Sequence, residues 1–185
     1  RPASRVLWGN RISVLSGDLL LTSALQLVQH SGVAGAMEDT LATMQALIAG
    51  EAAQIEARGR DDIGIDGYLR IARGKTASLF ACACRFGARV AEAPDAVIDA
   101  AGRFGERVGI AFQIVDDVLD IEGVPHEVGK RLGRDMAEGK TTLPLALALG
   151  RAAVELRPLL IDARAGDTVA AAKVAQAPAV RAACA

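Results

Sequence analysis

Aromatic side chains are scarce in this 185-residue chain: four Phe, one Tyr and one Trp, or 3% of the residues. A core so poor in rings must be filled by Ala, Leu, Val and Ile, drawn from a hydrophobic content of 51%. Ala and Leu are strong helix formers and the β-favouring aromatics are few, so composition points to helices rather than sheets. Histidine is rarer still, with only His30 and His126, and the three cysteines, Cys82, Cys84 and Cys184, are an odd set in poor zinc spacing. That argues against a disulfide framework or a structural zinc site. Cys82 and Cys84 stand about 200° apart on a helix and read as small apolar residues on opposite faces. Excess positive charge is lacking too: the formal net charge is -1. A general nucleic-acid binder is usually strongly basic, so any polyanion site here must be local. No uninterrupted apolar run reaches the roughly 18 to 20 residues of a membrane span, and nothing at the start reads as a signal peptide. The expectation is a cytoplasmic protein without stable membrane insertion.

What is present is helical patterning. Apolar residues recur near helical spacing through five stretches: "VLWGNRISVLSGDLLLTSALQLVQHSG", "AMEDTLATMQALIAGEAAQIEARG", "DGYLRIARGKTASLFACACRFGARV", "DAVIDAAGRFGERVGIAFQIVDDVLDIEG" and "TTLPLALALGRAAVELRPLL". No segment alternates with period two. An all-α bundle follows, with residues 1–185 as a single domain. The main break is "GVPHEVGKRLGRDMAEGK", residues 123–140, rich in glycine and charge and too long for an ordinary helix connection. The Ala-rich end after it carries no assignment.

The stretch "FQIVDDVLDIEG" sets Asp116, Asp117 and Asp120 in an apolar helix. Asp116 and Asp120 lie about 40° apart around the axis and Asp117 about 100° from Asp116, so the three read as one face of one turn. Burying uncompensated carboxylates costs several kcal/mol each, about as much as such a helix can tolerate, and the C-terminal end of the macrodipole disfavours anions further. Three readings are open: a solvated acidic end, a salt-bridge network, or a divalent cation held by oxygen ligands. Mg2+ suits the last, since it takes one or two carboxylates and completes its shell with water and phosphate oxygens. The loop that follows, "GKRLGRDMAEGKTT", offers Lys130, Arg131, Arg134 and Lys140 among glycines. Carboxylates followed by a basic, glycine-rich loop point to a metal-bridged phosphate.

"FQIVDDVLD" together with "GKRLGRDMAEGKTTLP" resembles the second aspartate-rich motif and following loop of the trans-prenyl diphosphate synthases. Phe112, Gln113, Lys130, Asp135, Gly139, Lys140 and Thr142-Leu143-Pro144 stand in register with it. "GKTASLFACACRFGA" resembles that family's Lys-Thr helix, and "RPASRVLWGNRISVLSGDLLL" the segment just after its first aspartate-rich motif. The resemblance implies an isoprenoid-synthase helical bundle around a central cavity, usually a homodimer. It implies a prenyltransferase that joins isopentenyl diphosphate to an allylic prenyl diphosphate with Mg2+ and releases diphosphate. By the same resemblance Asp116 holds a metal, and Asp117 and Asp120 order its surroundings. Lys75, Lys130 and Lys140 grip diphosphate, while Thr76 and Gln113 line the site of the developing cation. The first aspartate-rich motif and the C-terminal helices of the family are not in the sequence, so the chain reads as an incomplete isoprenoid-synthase core. Two other readings remain: a non-catalytic subunit of a heteromeric synthase, and a terpene cyclase. The motif before Arg1 that would govern product length is not in view.

Overall fold

The protein is described here by a computed structural model covering residues 3–122 and 133–185. Among these residues there are helices and no strands: α1 Ser4–His30, α2 Ala36–Glu56, α3 Gly64–Ala72, a π-helical turn Arg73–Ala77, α4 Ser78–Val90, α5 Asp95–Glu122, α6 Arg134–Ala137, α7 Leu143–Arg164, α8 Thr168–Gln176 and α9 Pro178–Cys184. The all-α expectation holds. The third stretch, which reads in sequence as one helix, is broken into α3, the π turn and α4. Hydrophobic period cannot register a single inserted residue. The Ala-rich end forms α8 and α9, and Asp167 caps α8 by accepting the amides of Val169 at 2.8 Å and Ala170 at 3.1 Å.

Helices α4 and α5, joined by a short connection, make the most extensive pair in the bundle. Two glycines on α5 permit that approach. A Cβ at Gly105 would stand 2.5 Å from the Phe80 carbonyl oxygen, and one at Gly109 2.5 Å from Ala77 Cα. A second apolar cluster gathers α6 to α9: Met136, Leu145, Leu149, Leu156, Leu160, Val174 and Val180 are buried together. It anchors α7, whose first residues carry part of the site described below. Cys82 is buried and Cys84 half-buried, as their opposite placement on α4 requires.

Helix α1 is the one membrane-span candidate among the described residues. It is long and apolar enough to cross a membrane by length and composition, with a mean hydropathy of 1.3 over its best 18 residues. Asp18 interrupts the apolar run in sequence, while Arg5 and Arg11 stand nearer the start of the helix. None of its residues is buried, and Gly9, at φ 78°, breaks its helical geometry near the start.

Candidate active site

Helix α2 and the π turn meet at Gly50 and Gly74. A Cβ on Gly50 would lie 2.5 Å from the Lys75 backbone nitrogen, so the two backbones touch only because neither glycine carries a side chain. Lys75 and Thr76 follow this contact within the π turn. Adjacent residues on an α-helix diverge by about 100°. Here both line one cavity of about 180 Å³, together with Gln54 and Tyr68 from α2 and α3, Gln113, Asp116 and Asp117 from α5, and Asp135, Lys140 and Thr142 from the loop side. π turns of this kind recur at functional sites for that reason.

A hydrogen-bonded chain crosses the cavity floor. Thr76 Oγ1 donates to Gln113 Oε1 at 2.7 Å, and Gln113 Nε2 donates to Asp117 Oδ1 at 2.9 Å. Asp117 Oδ2 accepts the Leu143 amide, the first N–H of α7, at 3.4 Å. Asp117 is 3% exposed, and burial raises its pKa above the usual carboxylate value despite these donors. The buried Tyr68 hydroxyl sits beside it without a hydrogen bond of good geometry. Burial, then the neighbouring Asp117 charge, holds the phenol far above its ordinary pKa.

Asp120 is spent differently. Its Oδ2 accepts the Asp135 amide at 3.0 Å and its carbonyl accepts Gly133 N–H at 2.8 Å, which ties the end of α5 to the start of α6. Burial raises its pKa as well. The sequence reading groups Asp116, Asp117 and Asp120 as metal ligands, and the structure divides their contacts. Asp116 and Asp117 line the cavity, Asp120 does not, and among the described residues no three His, Cys, Asp or Glu side chains converge as a metal-binding group. The physical reason is that the α5 carboxylates fan out over the helix and two of them satisfy backbone N–H groups of α6 and α7.

The lysines, too, have partners other than those aspartates. Lys140 Nζ contacts Asp135 Oδ1 at 2.6 Å and Glu138 Oε2 at 2.9 Å. Burial pulls its pKa down, but the two carboxylates outweigh it and the net shift is upward. Lys75 Nζ contacts Glu51 Oε2 at 2.7 Å and Gln54 Oε1 at 2.5 Å. The loop bearing Lys140 is moored to the end of α2: Gly59 N–H donates to the Gly139 carbonyl at 2.8 Å, and Thr141 Oγ1 to the Arg60 carbonyl at 2.8 Å. Arg164 of α7 fastens the same corner through Asp61 at 2.8 Å. Lys130 lies outside the described residues.

Hydrogen bonds from Lys140 and Arg134 pull the Glu138 carboxyl down to about 2, from a model-compound value of 4.5. A depressed acid stabilises the fold above its unfolded pKa and loses that contribution as pH falls through its folded one. Glu138→Gln is therefore expected to lose less stability than the parent between pH 4.5 and about 2. Urea midpoints across that window measure it; parallel pH dependences would contradict it.

The structure thus brings together Lys75, Thr76, Gln113, Asp116, Asp117 and Lys140 from the sequence reading, and adds Gln54, Tyr68 and Asp135. Asp135 stood in the register of the family motif without a role. Gln54 and Tyr68 carried no signal, because each is one polar residue in an amphipathic helix distant in sequence from the motif.

Comparison with known proteins bears on the family and the fold. The model of the family described as polyprenyl synthetase matches residues 1–180. A geranylgeranyl diphosphate synthase of Mycobacterium tuberculosis is 39% identical over 166 residues, covering 86% of this chain and 47% of that protein. Component 2 of a heptaprenyl diphosphate synthase from Geobacillus stearothermophilus is 37% identical, covering 80% of this chain and 47% of its own length. Among solved structures, a polyprenyl synthase of Caulobacter crescentus complexed with calcium and isoprenyl diphosphate superposes with a TM-score of 0.90 at 32% identity, over 99% of this chain and 58% of that one. The chain spans about half the length of the curated relatives it matches.

Proposed function

Because the chain belongs to the polyprenyl synthetase family, we propose that its cavity is one side of a prenyl-transfer site that binds an allylic prenyl diphosphate and joins it to isopentenyl diphosphate. The observation that carries this reading is the composition of the cavity: two ammonium groups, Lys75 and Lys140, line about 180 Å³ together with the carboxylates Asp116, Asp117 and Asp135. Among the described residues a bare diphosphate meets no surplus of positive charge there. A divalent cation resolves the mismatch, and oxygen donors of this kind suit Mg2+, which shares its shell between one or two carboxylates and phosphate. Asp116 and Asp135 are the residues of this chain that would hold it, and it would supply charge neutralisation of the departing diphosphate.

The remaining groups act on the substrate directly. Lys75 and Lys140 bind and orient the diphosphate oxygens as point charges. Thr76 donates its hydroxyl hydrogen bond to Gln113 Oε1, so the remaining lone pairs of the Thr76 oxygen and the Gln113 carbonyl oxygen are available to the cavity. Preorganised negative dipoles at that place stabilise the allylic cation as the carbon–oxygen bond to diphosphate breaks. Asp117 fixes the Gln113 amide in this orientation by accepting its N–H. The isopentenyl double bond then attacks the allylic carbon, and the proton lost from the adduct passes to the released diphosphate.

Incubation of the full-length protein with Mg2+, labelled isopentenyl diphosphate and allylic primers of graded length is expected to give elongated prenyl diphosphates; no product with any primer overturns the reading. The relative named as a component favours a second reading, a subunit that works only with another chain. Light scattering on the active preparation separates the two: a homodimer active alone supports the homomeric enzyme, which is the assembly proposed here. The terpene-cyclase alternative draws nothing from the relatives described above.

A further inference from the structure

We propose that Glu51 is a positioning residue that competes with substrate for Lys75, so that α2 sets how tightly the site holds diphosphate and how readily it lets go. This inference rests on the diphosphate reading of the cavity. The two site lysines are held unequally. Lys140 is gripped by two carboxylates and its pair with Asp135 is well covered, at 23% and 17% side-chain exposure. Lys75 has a single carboxylate partner among the described contacts, and that pair is open, at 34% and 40%. Exposed pairs are weak and exchange readily, so Lys75 is the cation an incoming anion can capture.

Geometry restricts how that capture occurs. The backbone of Lys75 is pinned against Gly50, one residue before Glu51, so its ammonium group reaches a ligand by side-chain rotation alone. Gln54, one helical turn beyond Glu51, lines the cavity and holds the same Nζ, whereas Glu51 is not part of the lining. The ammonium is thus suspended between a neutral oxygen on the cavity side and a charged one outside it. When diphosphate enters, Nζ keeps Gln54 and exchanges Glu51 for a phosphate oxygen. After the reaction Glu51 draws it back, which assists product release.

The test is isothermal titration of inorganic diphosphate with Mg2+ into the full-length protein and its variants. Glu51→Gln keeps the shape and removes the competing charge, so it is expected to bind about three- to fivefold more tightly, in line with the small worth of an exposed pair. Glu51→Asp restores the charge and should return the affinity toward the parent value. Lys75→Met weakens binding, and in that background Glu51→Gln should bring no gain. In turnover, Glu51→Gln lowers KM for the allylic diphosphate and kcat together, a split that a merely structural residue would not produce. Unchanged or weaker binding by Glu51→Gln overturns the inference, and so does a gain that persists without Lys75. If the parent protein takes up no diphosphate, the functional reading falls as well; if it binds and only the Glu51 effect is missing, this inference falls alone.

Discussion

Asp116→Asn is expected to lower prenyl transfer by about 10²- to 10³-fold, the usual result of removing one preorganised charge from a reacting centre. The argument turns on how α5 distributes its carboxylates. Asp117 closes a chain of hydrogen bonds from Thr76 through Gln113 to the first amide of α7, and Asp120 binds α6. Asp116 lines the cavity with Asp135 and the two lysines. Amidation there removes charge where the proposed metal and diphosphate meet, and touches neither helix contact. Asp117→Asn is the instructive comparison. It should lower the thermal midpoint, because an amide cannot accept from both Gln113 and Leu143 on its two ends without turning a donor toward one of them. The prediction is measured as kcat with thermal midpoints alongside. Asp116→Asn retaining activity within fivefold of the parent, at unchanged stability, would remove Asp116 from the reaction.

That division of labour marks the limit of what the chain disclosed as a string of letters. The helical class was legible, since Ala and Leu with few rings leave little else, and Asp116 and Lys140 were legible because a motif surrounds them. The neighbours that decide their chemistry were not. Glu51 and Gln54 lie 24 and 21 positions before Lys75 and look like ordinary polar residues of an amphipathic helix. Only the crossing of α2 over the π turn gives them a meaning. A helical wheel sets three aspartates in five positions on one face, but it cannot show that α6 and α7 present N–H groups to two of them. Helix α1 shows the converse: polar residues scattered along it hid an 18-residue window of high mean hydropathy.

The crossing itself supplies the second large effect. Gly50→Ala places a Cβ 2.5 Å from the Lys75 nitrogen and 2.9 Å from the Gly74 carbonyl carbon. Both neighbours are backbone, so no rotamer change relieves the clash and α2 must move away from the π turn. Overpacking of this kind costs about 1–3 kcal/mol, partly offset by the better helix propensity of alanine. The control is Gly87→Ala in α4, whose Cβ would meet nothing within 4 Å. There propensity acts alone and the protein should gain stability, by up to about 1 kcal/mol. Opposite signs for one chemical change, on two helices of one bundle, isolate the close approach as the cause. Moving α2 also carries Glu51 away from Lys75, so the gain in diphosphate binding from Glu51→Gln should shrink in the Gly50→Ala background, read at a temperature where it remains native. A melting midpoint for Gly50→Ala equal to the parent's would show that the two helices have room to spare, and would leave the π turn free to place Lys75 without help from α2.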